Sequence, residues 1–292
     1  MACDAGIRPP GFARGPSETT GRHVPSGKRK RVNSFRLFFV GGLTSYRALF
    51  YWLSPTIYIP SLIVAPIFQI LLFAYIGRSA GLQSDVFYVT GNAIQYAAIP
   101  CLFAMSQTVS GERYQNTLHA ILVSPANRFP LFVGRALPVM GNAAFVSAFS
   151  FAAGCVILGV SLPAGSIPGL AVVILVAAFS CTGLGLTNAA VSLRVRENAV
   201  LSNVIFGFLL IFTGANVPIS ELPTWMQDVS HVLPLTHAIQ AARDLAAGEP
   251  FSDVTGLLAT ELGIGIAYLA GGLALLRVFE WQGRKHATLE QL

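Results

Sequence analysis

The chain has 292 residues, of which 53% are hydrophobic and only 11% are charged. Soluble domains carry about a quarter charged residues, so the composition excludes an ordinary soluble protein and indicates an integral membrane protein. The formal net charge of +6 comes from 19 Lys and Arg residues against 13 Asp and Glu residues. The four cysteines show no metal-ligand spacing, and we interpret them as small apolar residues.

The amino-terminal region has two parts ahead of the first long apolar run. Residues 1–27 are rich in Gly, Pro, Ser, Thr and Arg without hydrophobic periodicity, and residues 28–31 are all basic. We predict that residues 1–32 form a disordered cytoplasmic tail whose basic residues contact anionic lipid, not nucleic acid. Residues 33–54 mix aromatic residues with Arg36 and Arg47, which predicts an amphipathic helix in the membrane interface.

Six apolar runs follow, and a helix needs about 20 apolar residues to cross a bilayer. They predict an all-α membrane protein with a transmembrane domain over residues 55–281 and a cytoplasmic tail over residues 282–292. Small residues in the fourth run, Gly183, Gly185, Ala189 and Ala190, predict close contact with neighbouring helices. The predicted spans are residues 57–76, 88–110, 131–160, 167–193, 201–216 and 254–279.

The distribution of basic residues predicts the orientation of these spans. With the amino terminus inside the cell, all but two of the 19 Lys and Arg residues fall on the cytoplasmic side. The exceptions are Arg78 and Arg243. Because cytoplasmic loops carry the excess of basic residues, both termini are predicted to be cytoplasmic.

The longest outer connection joins the fifth and sixth spans. Its sequence predicts two short helices, over residues 222–229 and 234–247, with Gly248 able to end the second. The second helix is too short to cross a bilayer. We therefore predict a re-entrant or interfacial helical hairpin on the outer side, with Trp225 as its anchor.

A polar island separates the second and third spans at residues 111–125. Leu118, Ile121 and Leu122 recur at helical spacing on one face, and Pro125 closes the segment. Such a helix on the cytoplasmic side is either a loop on the lipid headgroups or a docking surface for a soluble partner. The pattern of residues alone leaves both interpretations open.

Three segments together carry a family resemblance. The first is LSP at 53–55 with FAYIG at 73–77, and the second is ERYQNTLHAILVSP at 112–125. The third and most specific is FTGANVPI at 212–219, continued by LPLTHAI at 233–239 and Arg243. From residue 54 to the carboxy terminus, the chain resembles the ABC-2 family of bacterial ABC-transporter permeases, above all its daunorubicin-resistance and nodulation-factor branches. Asn116 and His119 depart from the family pattern, which has glycine and glutamate there.

The resemblance implies the membrane subunit of an ATP-driven exporter in the bacterial plasma membrane. Members export drugs, nodulation factors and glycans. Two cytoplasmic ATPase subunits would bind a pair of permeases, either identical or related. The phosphate-binding motif G-x-x-x-x-G-K-[ST] does not occur in the sequence, so ATP and magnesium are expected on the separate ATPase and no catalytic residue or cofactor is expected in this chain.

The family motifs also identify candidate site residues. Glu112 and Arg113 open the segment that resembles the ATPase-coupling loop. The full coupling set implied by the resemblance is Glu112, Arg113, Thr117, Leu118, Ile121, Leu122, Ser124 and Pro125. The outer motif comprises Gly214, Pro218, Pro234, His237 and Arg243.

Polar residues within the spans form a further set. Asn92, Gln95 and Gln107 either hydrogen-bond between helices or line the substrate path together with Asn216. Glu261 is an acid within a span and therefore a functional candidate by default. We favour a structural role for it, either near the outer interface or paired with Arg243.

Two other function classes fit the composition less well. An ion-coupled secondary transporter needs ionisable relays near the middle of the membrane, and spans one, three, four and five have no charged residue at their centres. A membrane enzyme would bring His, Asp, Glu or Cys residues together on one face of a span, and no such cluster occurs in the sequence. The substrate cannot be read from the residues, because apolar and aromatic linings suit drugs, lipids and glycans alike.

Overall fold

A computed structural model describes residues 55–114, 128–195 and 197–286. These residues form helices joined by short connections and contain no strand. The predicted all-α fold is therefore confirmed for the described part of the chain. The amino-terminal tail, the interfacial helix over residues 33–54 and most of the polar island lie outside the described residues.

Ten α-helices make up the described chain. In addition, a π-helical segment occupies Ile59–Val64, and short 3₁₀ turns occupy Ala164–Ser166 and Ile219–Glu221. The helices are α1 (Pro55–Tyr58), α2 (Ala65–Ala80), α3 (Asp85–Gln95), α4 (Ala98–Tyr114), α5 (Arg128–Leu158), α6 (Ile167–Ser192), α7 (Asn198–Phe212), α8 (Thr224–Val232), α9 (Thr236–Ala247) and α10 (Phe251–His286).

Five helical segments are long and apolar enough to cross a membrane. They are Ile59–Ala80, Asp85–Gln107, Ala136–Leu158, Ala164–Ser192 and Phe251–Phe279, and each overlaps a predicted span. The predicted fifth span corresponds to α7, which is apolar but shorter. That helix ends at Phe212 and not at residue 216, since the chain turns at Gly214 with a φ of 75°.

The second of these segments is broken between α3 and α4. Pro100 lacks the amide hydrogen that would bond to the carbonyl of Tyr96, and its ring crowds that carbonyl. The amides of Ala97 and Ile99 bond three residues back instead, to Ile94 and Tyr96 at 3.1 and 3.3 Å. Most of this segment is buried by the surrounding helices.

Helix α6 forms the centre of the core, packed between α10 and α4. A Cβ atom on Gly183 would lie 2.6 Å from the carbonyl oxygen of Gly265 in α10. A Cβ atom on Gly185 would lie 2.3 Å from the carbonyl oxygen of Cys101 in α4. The helices therefore approach to backbone contact at glycines, and the predicted close packing of this span is confirmed.

The α7–α10 connection, residues 213–250, contains the two short helices α8 and α9. Three of their four ends differ by two or three residues from the predicted ones, as is usual at helix ends, and the end of α9 at Ala247 agrees. Helix α9 is buried against α10, α3 and α6, whereas α8 makes few contacts and leaves Trp225 61% exposed. At its far end, α10 continues to His286, beyond the predicted end of the sixth span.

Candidate functional site

Arg243 joins α9 to two other parts of the structure. One terminal nitrogen of its guanidinium donates to the carbonyl oxygens of Gly214 at 2.9 Å, Ala215 at 3.0 Å and Phe87 at 3.3 Å. The guanidinium carbon also lies 3.5 Å from the centroid of the Phe87 ring, a cation–π contact. Burial lowers the pKa of Arg243 to about 9, so the side chain keeps its charge at neutral pH.

Two glycines make this arrangement possible. Gly214 adopts a φ of 75°, which lets the chain turn and direct its carbonyl towards Arg243. A Cβ atom on Gly91 in α3 would lie 2.4 Å from the carbonyl oxygen of Ala215 and 2.8 Å from the Arg243 nitrogen. A side chain at position 91 would therefore separate α3 from the residues that Arg243 binds.

A chain of side-chain amides crosses the same region. Gln69 in α2 donates to the oxygen of Asn92 at 2.9 Å. The Asn92 nitrogen donates to the side-chain oxygen of Asn216 at 2.9 Å and to the carbonyl of Tyr88 at 3.0 Å. Asn92 is fully buried with its oxygen and both amide hydrogens used, while Gln69 and Asn216 at the ends are half-buried.

The other two predicted path residues do not join this chain. Gln95 is fully buried, and neither atom of its amide group has a hydrogen-bond partner among the described residues. Gln107 is half-buried at the end of the segment Asp85–Gln107. The structure thus brings Asn92 and Asn216 together but leaves Gln95 and Gln107 apart from them.

Glu261 is fully buried in α10 and faces the start of α9. One carboxylate oxygen accepts from the amide of Leu235 at 2.7 Å, and the other accepts from the amide of Ala238 at 3.4 Å. The considered pairing with Arg243 is wrong, because Arg243 binds carbonyl groups elsewhere. Each charge instead meets backbone groups: Glu261 binds the amides at the positive start of α9, and Arg243 binds carbonyls in the turn after α7 and in α3.

Two histidines lie near the start of α9. The rings of His231 and His237 have centroids 5.9 Å apart. Burial, together with the nearby His231, lowers the pKa of His237. Within the described ranges, no group of three or more His, Cys, Asp or Glu side chains could hold a metal ion.

The remaining candidates divide between the described and undescribed parts of the chain. Pro218 precedes the 3₁₀ turn at Ile219–Glu221, and Pro234 is buried just before α9. Glu112 and Arg113 lie in α4, but their side chains are not described. The other predicted coupling residues lie outside the described residues: Thr117, Leu118, Ile121, Leu122, Ser124 and Pro125.

Sequence reasoning missed Gln69 and Phe87. Gln69 is a polar residue within the first apolar run, and that isolation was a usable signal for a hydrogen-bonded side chain. Phe87 resembles any other aromatic residue of a span, so the sequence contains no sign that its ring and carbonyl receive Arg243.

Comparison with known proteins identifies a family that this chain matches. The family described as ABC-2 type transporter matches residues 40–246, which is more than half of the chain. Two relatives are Escherichia coli proteins named probable multidrug ABC transporter permease YbhR, from strain K12 and from O157:H7. Each is 24% identical over 170 residues, which cover 58% of this chain.

The aligned region spans only 45% of the length of these relatives. The family match extends over the segments from α1 to α9, including the α7–α10 connection where Arg243 and Asn216 lie. It also includes the polar island between α4 and α5. The chain belongs to the ABC-2 type transporter family.

Proposed function

We propose that the protein is the membrane-spanning permease subunit of an ATP-driven exporter. The observation that carries the proposal is the family match over residues 40–246. The proposed substrate is an amphiphilic drug, lipid or glycan, and the name of the two relatives, which refers to multidrug transport, supports the first of these classes. Export runs from the cytoplasm outwards through the membrane.

Two copies of a cytoplasmic ATPase are the proposed partners, acting on a pair of permeases. The sequence itself contains no phosphate-binding loop, which supports ATP and magnesium binding on the partner. Coupling occurs at the polar island, where Leu118, Ile121 and Leu122 enter an apolar cleft of the ATPase as an amphipathic helix enters a groove. Glu112 and Arg113 orient this contact at its rim.

The proposed topology has six crossings and both termini in the cytoplasm. Helix α7 is the fifth crossing, although its 15 residues extend about 23 Å, less than the ~30 Å hydrocarbon core. A short span is accommodated by local thinning of the bilayer or by flanking residues. The α7–α10 connection lies on the outer side, with α8 and α9 as a re-entrant pair.

Contacts at the amide chain refine the proposed substrate path. Because both ends of the Asn92 amide are occupied, the half-buried amides of Gln69 and Asn216 are better placed to meet a substrate. Asn92 then holds these two side chains in position. Gln95 in α3 and Gln107 in α4 remain separate candidates for the substrate path.

The proposal is tested by reconstituting the chain with its ATPase in vesicles and measuring ATP-dependent movement of labelled drugs, lipids and glycans. We expect Leu118→Asp to reduce both transport and co-purification of the ATPase, because an unpaired carboxylate in an apolar contact costs several kcal/mol, on the order of 4. Asn116→Asp adds the same charge on the polar side of the island and serves as the control. Transport that continues without ATP would exclude an ABC exporter.

A further inference from the structure

The start of α9 has no cap of its own. The residue before the helix is Leu235, whose side chain cannot accept a hydrogen bond, and its φ of 79° is left-handed. The first amides of any helix lack partners within the helix and need an acceptor from elsewhere. Here the first bond within the helix runs from the amide of Ile239 to the carbonyl of Leu235 at 2.8 Å.

Bulk water does not reach the start of α9, because this part of the chain is buried. Pro234, Leu235 and Thr236 are all buried, and Leu235 has no exposed surface. A buried amide without a partner is costly, so the acceptor has to come from a neighbouring side chain. The carboxylate of Glu261 supplies it to Leu235 at 2.7 Å and to Ala238 at 3.4 Å.

The same contact also stabilises the buried carboxylate of Glu261. A carboxylate within an apolar span is expensive unless it meets compensating groups. The partial positive charge at a helix start favours a negative charge and is strongest within the first turn. Both groups are therefore satisfied only while the start of α9 stays beside this point of α10.

We propose that Glu261 is a positioning residue for export, which fixes the start of α9 to α10 so that α9 follows the movement of this span. The inference rests on the proposed exporter function. Helix α8 makes few contacts, and among the described residues no buried charge binds its start. One of these contacts is the aromatic edge contact of Trp225 with Phe212. The α7–α10 connection thus has an attached half and a less restrained half.

Amide hydrogen exchange of the full-length protein in lipid nanodiscs measures this attachment directly. In Glu261→Asp the carboxylate withdraws by about one C–C bond, ~1.5 Å, while the acid is retained. We expect exchange at Leu235 and Ala238 to rise about ten-fold, the change that corresponds to one lost hydrogen bond of a charged group. In Glu261→Gln the single amide oxygen still accepts at the same reach, so exchange at Leu235 stays close to that of the wild type, while the amide nitrogen cannot accept and exchange at Ala238 rises.

The same variants, reconstituted with the ATPase, are compared for substrate moved per ATP hydrolysed. We expect this ratio to fall at least two-fold in Glu261→Asp and to fall less in Glu261→Gln, which keeps the bond to Leu235, a pattern that a general loss of stability would not give. Thr260→Val is the matched control, because Thr260 is exposed and its hydroxyl donates only to Gly256 of its own helix at 3.0 Å.

Two outcomes would overturn the proposal and are distinguishable. Slow exchange at Leu235 in Glu261→Asp would show that another group caps α9. Fast exchange with an unchanged ratio of transport to ATP hydrolysis would show that the attachment does not serve export. A wild-type complex that moves no substrate contradicts the exporter function itself, and with it the role in export, whatever the exchange rates are.

Discussion

Helices α8 and α9 are close in sequence yet differ in almost every contact. Helix α9 is buried against three other helices. Glu261 of α10 binds its start, and its own Arg243 binds the carbonyl of Gly214. Helix α8 contacts little, and Trp225, Val229 and Val232 on one face remain exposed. The difference teaches that amphipathic pattern alone does not decide which short helix joins the core, because buried charges with precise partners decide it here.

Removing the Arg243 side chain should cause the largest loss of stability, because it detaches α9 from the turn after α7. In Arg243→Leu the carbonyls of Gly214 and Ala215 lose their donor, and the contact with Phe87 is lost. We expect the free energy of unfolding to fall by about 3 kcal/mol or more. Thermal unfolding in detergent measures the loss. Arg243→Lys, which keeps the charge but not the planar stacking, should recover only part of it.

A side chain at position 91 should reduce stability less than the loss of Arg243, by disturbing the contact of α3 with Ala215 and Arg243. In Gly91→Ala the added methyl group would lie 2.4 Å from the carbonyl oxygen of Ala215, so α3 and the connection must move apart. We expect a loss of about 1–3 kcal/mol. Gly256→Ala is the control, because its Cβ atom would meet nothing within 4 Å. Equal melting temperatures for both variants would argue against close packing at Gly91.

Truncating the exposed side of α8 should change stability little. Trp225 is 61% exposed and contacts Phe212 at a ring-centroid distance of 6.1 Å. We expect Trp225→Ala to alter the free energy of unfolding by no more than about 0.5 kcal/mol in detergent. A larger loss would mean that α8 is bound to the core as α9 is, and the contrast between the two helices would disappear.

Acidification should produce the smallest effect, through His237. Its pKa lies below the ordinary value of 6.5 because of burial and the nearby His231. The unfolded chain therefore binds the proton first, and stability declines as the pH falls through about 6.5 towards the lower folded pKa. The loss should be absent in His237→Gln, as measured by melting temperature between about pH 8 and pH 5. An identical pH dependence in that variant would contradict the assignment.

The sequence was sufficient for the kind and order of the helices. Apolar runs of span length and a connection with proline and glycine at its turns predicted the segments that overlap α2 to α10. The end of α7 was misplaced at residue 216, although residues 213–216 are small or polar and Gly214, which turns the chain with a φ of 75°, was a usable stop signal.

The site was less predictable from the same sequence. Asn92 and Asn216 were recognised as polar residues, but their contact joins positions 124 residues apart and follows from packing. Glu261 and Arg243 suggested a pair because their charges are opposite. The structure uses backbone groups for both, and no sequence pattern shows which backbone amides or carbonyls will lie within reach of a distant charge.

The backbone contacts of α6 limit the ways in which the bundle can change shape. Gly183 faces α10 and Gly185 faces α4, so turning α6 about its axis by one residue, about 100°, would drive a bulky neighbour such as Leu184 into the space of a glycine. Axial rotation of this helix is thereby blocked. We therefore expect α4, α6 and α10 to move as one unit, so that relative motion within the bundle is confined to their contacts with the other helices.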